Sequence, residues 1–253
     1  MVLKSVVHTE DERRHRQLEF GALLPEARID AEVDVVVVGQ DEDVAEAIRS
    51  HSRDADLVLL PGSKSTVGDL AFFRKQGWDI DLSAHVRRGG YVIGICGGYQ
   101  MLGKTISDPD GIEGASGTVE GLGYLDVETV LTPEKSLVEA TGKHLPSGAH
   151  VSGYEIHIGR TKGPDCARPF LHIRDASGRP KLDGAQSADG RIAGTYLHGL
   201  LTDDDFRKAY LKGFGAASTL AYDQSIDGIL DELANHLGAV MDADALLDIA
   251  QKR

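Results

Sequence analysis

The sequence predicts an α/β protein built on a mostly parallel sheet flanked by helices. Short, β-branched apolar runs recur at 33–39 (VDVVVVG), 56–60 (DLVLL) and 91–95 (YVIGI). Such runs suit strands buried on both faces, the usual state in a parallel sheet. Segments of helical character stand between them, and Pro61-Gly62 and Gly89-Gly90 punctuate the alternation. Strand, helix and strand in turn require βαβ units and parallel pairing.

The run 33–39 reads as the first strand, and 41–51 as a helix with acidic residues in its opening turn. The second strand, 56–60, stops at Pro61-Gly62. Helices follow at 70–76 and 80–88, the latter ended by Gly89-Gly90. The third strand, 91–95, runs straight into a helix over 97–102. The texture then changes: 114–132, 151–161 and 191–196 are rich in glycine and β-branched residues and predict shorter strands, some antiparallel. The polar stretch 165–183 reads as a loop or hairpin tip. Residues 203–212 and most of 225–252 read as helices, the last with apolar residues at Ile226, Ile229, Leu230, Leu233 and Leu237. No linker, repeat or low-complexity tract interrupts the chain. One domain over 51–253 with a helical C-terminal tail is expected, preceded by a divergent segment, 1–50, packed on or completing the sheet.

Composition excludes several classes. The 253 residues are 41% hydrophobic and 26% charged, an ordinary globular balance. A formal net charge of -13 disfavours nucleic acid and anionic membrane as partners. No apolar run reaches the length of a membrane span, and the N-terminus does not read as a signal peptide. Two cysteines without a secretion signal fit a reducing, cytoplasmic compartment, with no Cys96–Cys166 disulfide. No metal site is expected, because the two cysteines are far apart and no H-E-x-x-H is present.

The chemistry centres on GICGGYQMLG at 94–103. A cysteine directly after a buried strand, with Gly94, Gly97 and Gly98 around it, fits a nucleophile on a crowded strand-to-helix turn. Cys96 is therefore the candidate nucleophile. The helix N-terminus is expected to lower its thiol pKa, and the Gly97 N–H to stabilise an oxyanion. A strand-end cysteine is more often inert; the flanking glycines point the other way here. A thiol nucleophile needs a base, and His198 in GTYLHGL is the best placed of the ten histidines, at the end of a β-like run and so at a sheet's carboxyl edge. His85 is expected on a solvated helix face. LPGSKST at 60–66 lacks the glycines of a phosphate loop and reads instead as a turn, with Gly62 and Ser63 offering a second oxyanion donor. In SGYEIHIGRT at 152–161, alternation puts Glu155 and His157 on one face and Tyr154 on the other; taken alone, a polar edge strand explains this segment as well.

DLVLLPGSKST, GGYVIGICGGYQMLG, DPDGIEG, GLGYLDVETVL, SGYEIHIGRT and DGAQSADGRIAGTYLHGL, in that order over roughly 54–250, resemble the class I (triad) glutamine amidotransferases. The nearest likeness is the glutaminase domain of the cobyric acid synthase branch, in cobalamin synthesis. The resemblance implies a flavodoxin-like sheet with flanking helices, the class I glutamine amidotransferase fold. It implies Cys96 as the nucleophile that forms a γ-glutamyl thioester, His198 as general base and acid, and Gly62 and Gly97 at the oxyanion. Gln100, Tyr154, Glu155 and His157 would hold the substrate glutamine. ATP and Mg would belong to a synthetase domain or subunit that this chain does not resemble, with no cofactor on the chain itself.

The pattern departs from the wider class at Leu200, where a glutamate would complete the triad; the cobyric acid branch generally lacks it. What then orients His198 is open, and Glu155 is a candidate. Three rival readings stand beside a cobyric acid glutaminase: a non-catalytic or truncated relative, a glutaminase subunit of another ligase such as lipid II amidation, and a protease-like member of the same fold. Gly97, where the protease-like members carry histidine, counts against the last.

Overall fold

The computed structural model describes residues 35–37, 55–133, 136–175, 177–215, 217–219, 221–242 and 249. The strands are β1 (Val35–Val37), β2 (Leu57–Leu60), β3 (Tyr91–Ile95), β4 (Thr105–Asp108), β5 (Gly117–Glu120), β6 (Glu128–Val130), β7 (Ser136–His144), β8 (His150–His157), β9 (Arg160–Lys162), β10 (Leu171–Asp175), β11 (Pro180–Asp183), β12 (Ala185–Gln186), β13 (Ile192–Thr195) and β14 (Leu197–His198). The helices are α1 (Thr66–Lys75), α2 (Trp78–Arg87), α3 (Gly97–Leu102), α4 (Asp204–Lys212) and α5 (Tyr222–Val240).

The central sheet has the order β1-β2-β3-β13-β12, parallel except at its β12 edge. Strands β2, β3 and β13 are apolar on both sides because both sides are covered. Val58, Leu60 and Val92 face helices α1–α3 with Phe73, Trp78, Leu82 and Tyr99. Leu57, Leu59, Ile93 and Ala193 face a second, antiparallel sheet of order β11-β10-β7-β8-β14 and helix α4, through Val151, Phe170, Ile173 and Phe206. Each such side chain contributes about 1.5–3 kcal/mol when fully buried. A third sheet, β5-β4-β6-β9, closes over Leu70 and Met101 with Ile106 and Leu131.

The expected strands 56–60 and 91–95 appear as β2 and β3, and the first strand is described at 35–37. The predicted helix 41–51 lies outside the described residues. Helix α1 starts at Thr66, four residues before the sequence signal at 70, because the Glu113 carboxylate accepts the Val67 N–H at 2.9 Å. A tertiary contact thus supplies the cap that local sequence does not. The stretch 165–183 contains a 3-10 turn and the β10–β11 hairpin, whose tip is set by Asp175 accepting the N–H groups of Ser177 and Arg179 at 2.9 and 3.0 Å.

His85 is a correction. It is buried, with Nε2 donating to the Tyr91 carbonyl at 2.9 Å, rather than solvated. The last turn of α2 folds back onto β3 through Gly89-Gly90, and the ring fills the space beside Gly90.

The step from β13 to β14 matters most for the site. Tyr196 carries the chain from the central sheet into the antiparallel one, and Asp183 fixes the crossing by accepting from the Thr195 hydroxyl and, at 3.1 Å, from the Tyr196 N–H. Asp203 then caps α4, accepting from the N–H groups of Asp205 and Phe206 and binding His150 and Ser152 of β8. Such a cap is worth about 1 kcal/mol and holds the segment after His198 in place.

Candidate active site

Three segments meet at the carboxyl edge of the central sheet: Pro61-Gly62 after β2, Cys96 after β3, and His198 two residues beyond the β13 crossing. Ligand sites of open α/β sheets form at such an edge. Cys96 has φ 53° and ψ -110°, and among the described residues it is the one non-glycine residue with positive φ. Strain of that kind costs of order 1–3 kcal/mol and persists only where the surroundings impose it. The Cys96 N–H donates to the Thr195 carbonyl and the Gly98 N–H to the Pro61 carbonyl, at 2.9 and 3.1 Å. A Cβ at Gly98 would sit 2.1 Å from the Leu60 carbonyl oxygen, so only glycine lets α3 start this close to β2.

Gly62 lies between the two candidate catalytic side chains. A Cβ there would fall 2.9 Å from His198 Cε1 and 3.5 Å from Cys96 Cβ. The thiol and the imidazole thus occupy one small volume, but they do not bond to each other. Cys96 Sγ donates to the Ile156 carbonyl oxygen at 3.3 Å. The same carbonyl accepts a ring N–H of His198, while His198 Nε2 is buried without a partner.

Burial pushes the Cys96 thiol up to about 11; the Gly97 N–H pulls the other way, and the Glu113 carboxylate adds to the rise. This corrects the expectation of a thiol lowered by the helix N-terminus. Helix α3 has six residues, and desolvation outweighs its field. Burial also lowers the His198 imidazole, against the opposing bond to Ile156. The resting pair is a neutral thiol beside a neutral imidazole, which suits a base that takes the proton during attack.

The 152–161 motif divides as alternation predicts. In the β8–β14 ladder Tyr154 pairs with His198 and Glu155 with Leu197. Tyr154 stacks on the His198 ring from the solvent side. Glu155 points to the opposite face, where the Lys181 ammonium donates to it at 2.6 Å and His157 Nε2 stands 4.0 Å away. Glu155 therefore does not replace the absent triad glutamate, which corrects that expectation. Leu200 is fully buried in the apolar core with Leu197 and Phe206. His157 stacks on Tyr196, with centroids 3.9 Å apart, and burial followed by the Lys181 charge lowers its imidazole.

Gln100 is 2% exposed and its amide is used internally. It accepts from Thr66 Oγ1 at 2.9 Å and donates to the Ile158 carbonyl at 2.9 Å and to the Tyr196 hydroxyl at 3.3 Å. It ties α3 to the end of β8. The Ser63 hydroxyl accepts the Ser65 N–H and donates to the Asp69 carboxylate, so it is the side chain, not the backbone N–H, that is committed.

Sequence reasoning missed three contributors. The Ile156 carbonyl is a backbone atom and carries no residue signature. Glu113 lies in the DPDGIEG loop, where Asp108 accepts the Ile112 and Glu113 N–H groups and aims the Glu113 side chain at α1. Lys181 sits in a stretch read as a loop. Both cysteines are free thiols, Cys166 lying 3.9 Å from the Tyr99 hydroxyl. Among the described residues no group of His, Cys, Asp and Glu could hold a metal ion, and no helix is long and apolar enough to cross a membrane.

The family model for CobB/CobQ-like glutamine amidotransferase domains matches residues 26–206. Cobyric acid synthase of Jannaschia sp. is 59% identical over 196 residues, 78% of this chain and 40% of that protein. The Cereibacter sphaeroides protein of the same name is 60% identical over 199 residues, and that of Paracoccus denitrificans 60% over 198, with the same coverage, 78% of this chain and 40% of each protein. The chain thus spans about two fifths of the length of the curated relatives it matches. With the family model running from before β1 into α4, across the strands and turns that bring Cys96 and His198 together, the chain belongs to the CobB/CobQ-like glutamine amidotransferase domain family.

Proposed function

We propose that this chain hydrolyses glutamine at Cys96 and delivers the ammonia to an ATP-dependent synthetase, for amidation of the peripheral carboxylates of adenosylcobyrinic acid a,c-diamide in cobalamin biosynthesis. The single observation that carries the glutaminase reading is the convergence of Cys96 and His198 on Gly62, on a strained elbow, with the Gly97 N–H at the sulfur. The acceptor rests on the similarity to cobyric acid synthases, and on this reading ATP and Mg would serve the synthetase rather than this chain. A cytoplasmic location follows from the same reading.

Cys96 Sγ attacks the γ-carbonyl carbon of glutamine while its proton passes to the unpartnered Nε2 of His198. The carbonyl oxygen becomes an oxyanion facing the backbone N–H groups of Gly97 and Gly62. On collapse, His198 returns the proton to the leaving nitrogen; ammonia departs and a γ-glutamyl thioester remains. Water, deprotonated by His198, attacks the thioester, and glutamate leaves as the Cys96 thiol is restored. Tyr154 borders the His198 side of the site, while Glu155, His157 and Gln100 act through the walls they build, Glu155 by its pair with Lys181 and His157 and Gln100 by their contacts to Tyr196.

The direct test is glutamate production from glutamine by the pure chain, wild type against Cys96→Ala. The wild type turns over, and the variant falls by at least about a thousandfold. Equal residual activity in both would remove Cys96 from the reaction. A non-catalytic chain is the second reading, favoured by one observation: the thiol bonds to Ile156 and not to His198. Absence of turnover both alone and with an added synthetase would select it.

A further inference from the structure

Helix α5 carries a seam of apolar side chains that the described structure leaves exposed from Ile229 onward. Ile226, Ile229, Leu230, Leu233, Leu237 and Val240 fall on one face at helical spacing. From Ile229 onward the five remain 41–65% exposed, Ile226 is half-buried, and α5 has no buried residue. Its first residue is tied to α4, where the Tyr222 N–H donates to Asp204 at 3.1 Å. A stripe of this length is a docking face, since single exposed apolar residues are ordinary but contiguous ones are not.

The charges beside the stripe select the occupant. Asp223, Asp227 and Asp231, spaced by four, run as an acidic line along one edge, and Glu232 flanks the other. No lysine or arginine occurs from 213 to 251. A second copy in antiparallel pairing would set the acidic line against itself, and in parallel pairing against the flank of Glu232, with no cation in either case. An anionic bilayer would be repelled by the same line. The fitting surface is a protein groove, apolar at its floor and lined by Lys or Arg along one edge.

We propose that the α5 stripe docks the synthetase portion of the cobyric acid synthase assembly, the part of the relatives' length that this chain does not match. The inference rests on the functional reading above and adds the surface through which the ammonia producer holds its consumer. Apolar anchors supply the affinity, and the acidic line sets orientation and salt dependence.

The test measures binding of the full chain to the unmatched part of the Cereibacter sphaeroides cobyric acid synthase, by sedimentation and titration calorimetry. Wild type binds as a 1:1 complex and alone is a monomer. Leu230→Lys/Leu233→Lys weakens binding by about a hundredfold, and Asp223→Lys/Asp227→Lys by about tenfold with a shallower salt dependence. Because Asp223, Asp227, Leu230 and Leu233 are all exposed, both variants keep the wild-type circular dichroism and the wild-type glutamine hydrolysis measured without the synthetase. Absent binding, binding that the α5 variants leave unchanged, or a wild-type dimer that Leu230→Lys/Leu233→Lys splits would each overturn the inference. Glutamine hydrolysis of the isolated chain is scored separately, so a glutaminase that fails to bind sinks the docking surface alone, while a chain that binds but never hydrolyses sinks the functional reading.

Discussion

Tyr154 lies flat on the imidazole of His198, with ring centroids 5.3 Å apart and planes 8° from parallel. The two residues face each other across the β8–β14 ladder, so strand register itself brings the rings together. With Leu200 where a triad carboxylate would stand, the His198 ring is held by this stack and by the Ile156 carbonyl. Stacked aromatic pairs contribute about 0.5–1.5 kcal/mol beyond area burial. Tyr154→Phe should leave kcat within about twofold, and Tyr154→Leu should lower it about three- to tenfold with little change in KM. A rise in KM alone, measured by steady-state glutamine hydrolysis, would assign Tyr154 to the substrate instead.

The pH dependence follows from two shifted groups. His198 must be neutral to accept the thiol proton, and burial lowers its pKa. The acid limb of kcat/KM should therefore lie below the ordinary histidine value of about 6.5. Cys96, raised to about 11, is almost wholly thiol at neutral pH. Iodoacetamide should alkylate it more slowly than free cysteine at pH 7.5. An acid limb above pH 7, or rapid alkylation at pH 6, contradicts the neutral pair.

Restoring the missing glutamate should not repair the site. Leu200 is fully buried among apolar side chains. Leu200→Glu would place a carboxylate there without a partner, at a cost of about 3–5 kcal/mol. Urea denaturation should show that loss together with lower glutaminase activity; a gain in kcat at unchanged stability would contradict the packing described for this position.

His144 makes the fold acid-sensitive. It packs among Phe170, Phe206 and Tyr210, and burial holds its imidazole down to about 4. The folded pKa lies below the unfolded value of about 6.5, so only the unfolded chain takes up the proton between these limits, and stability falls as pH drops from about 6.5 to 4, by about 3 kcal/mol in full. Asp183, raised to about 6 by burial, works in the opposite sense in that window, because there the folded state binds its proton. The comparison therefore uses a difference: the gap in unfolding free energy between wild type and His144→Phe should move against the wild type by about 3 kcal/mol between pH 7 and pH 4.

The parallel sheet and the elbow were legible because they rest on local rules. Buried parallel strands leave unbroken β-branched runs, and a nucleophile turn leaves glycines at 94, 97 and 98. His198 was legible from its place at the end of such a run. What escaped depends on atoms or contacts that sequence does not name. The Ile156 carbonyl belongs to any residue. His85 is buried because the chain doubles back at Gly89-Gly90, although its neighbours Arg87 and Arg88 make the segment look solvated. Gln100 belongs to a motif that implies substrate contact, yet its amide is committed to Thr66, Ile158 and Tyr196. The apolar spacing of α5 was plain in the sequence, but the expected reading of such a stripe is core, and its exposure appears only once the fold is assembled.

Cys96 is predicted to form a bond to the side-chain carboxamide carbon of glutamine. A glutamine analogue that carries an electrophile in place of the side-chain carboxamide, followed by intact-mass and peptide-mass measurement, tests this most directly. One adduct per chain on Cys96, absent in Cys96→Ala, suppressed by excess glutamine and slowed by His198→Asn, is the predicted result. Labelling at Cys166, or labelling of Cys96 that glutamine does not compete, would contradict it.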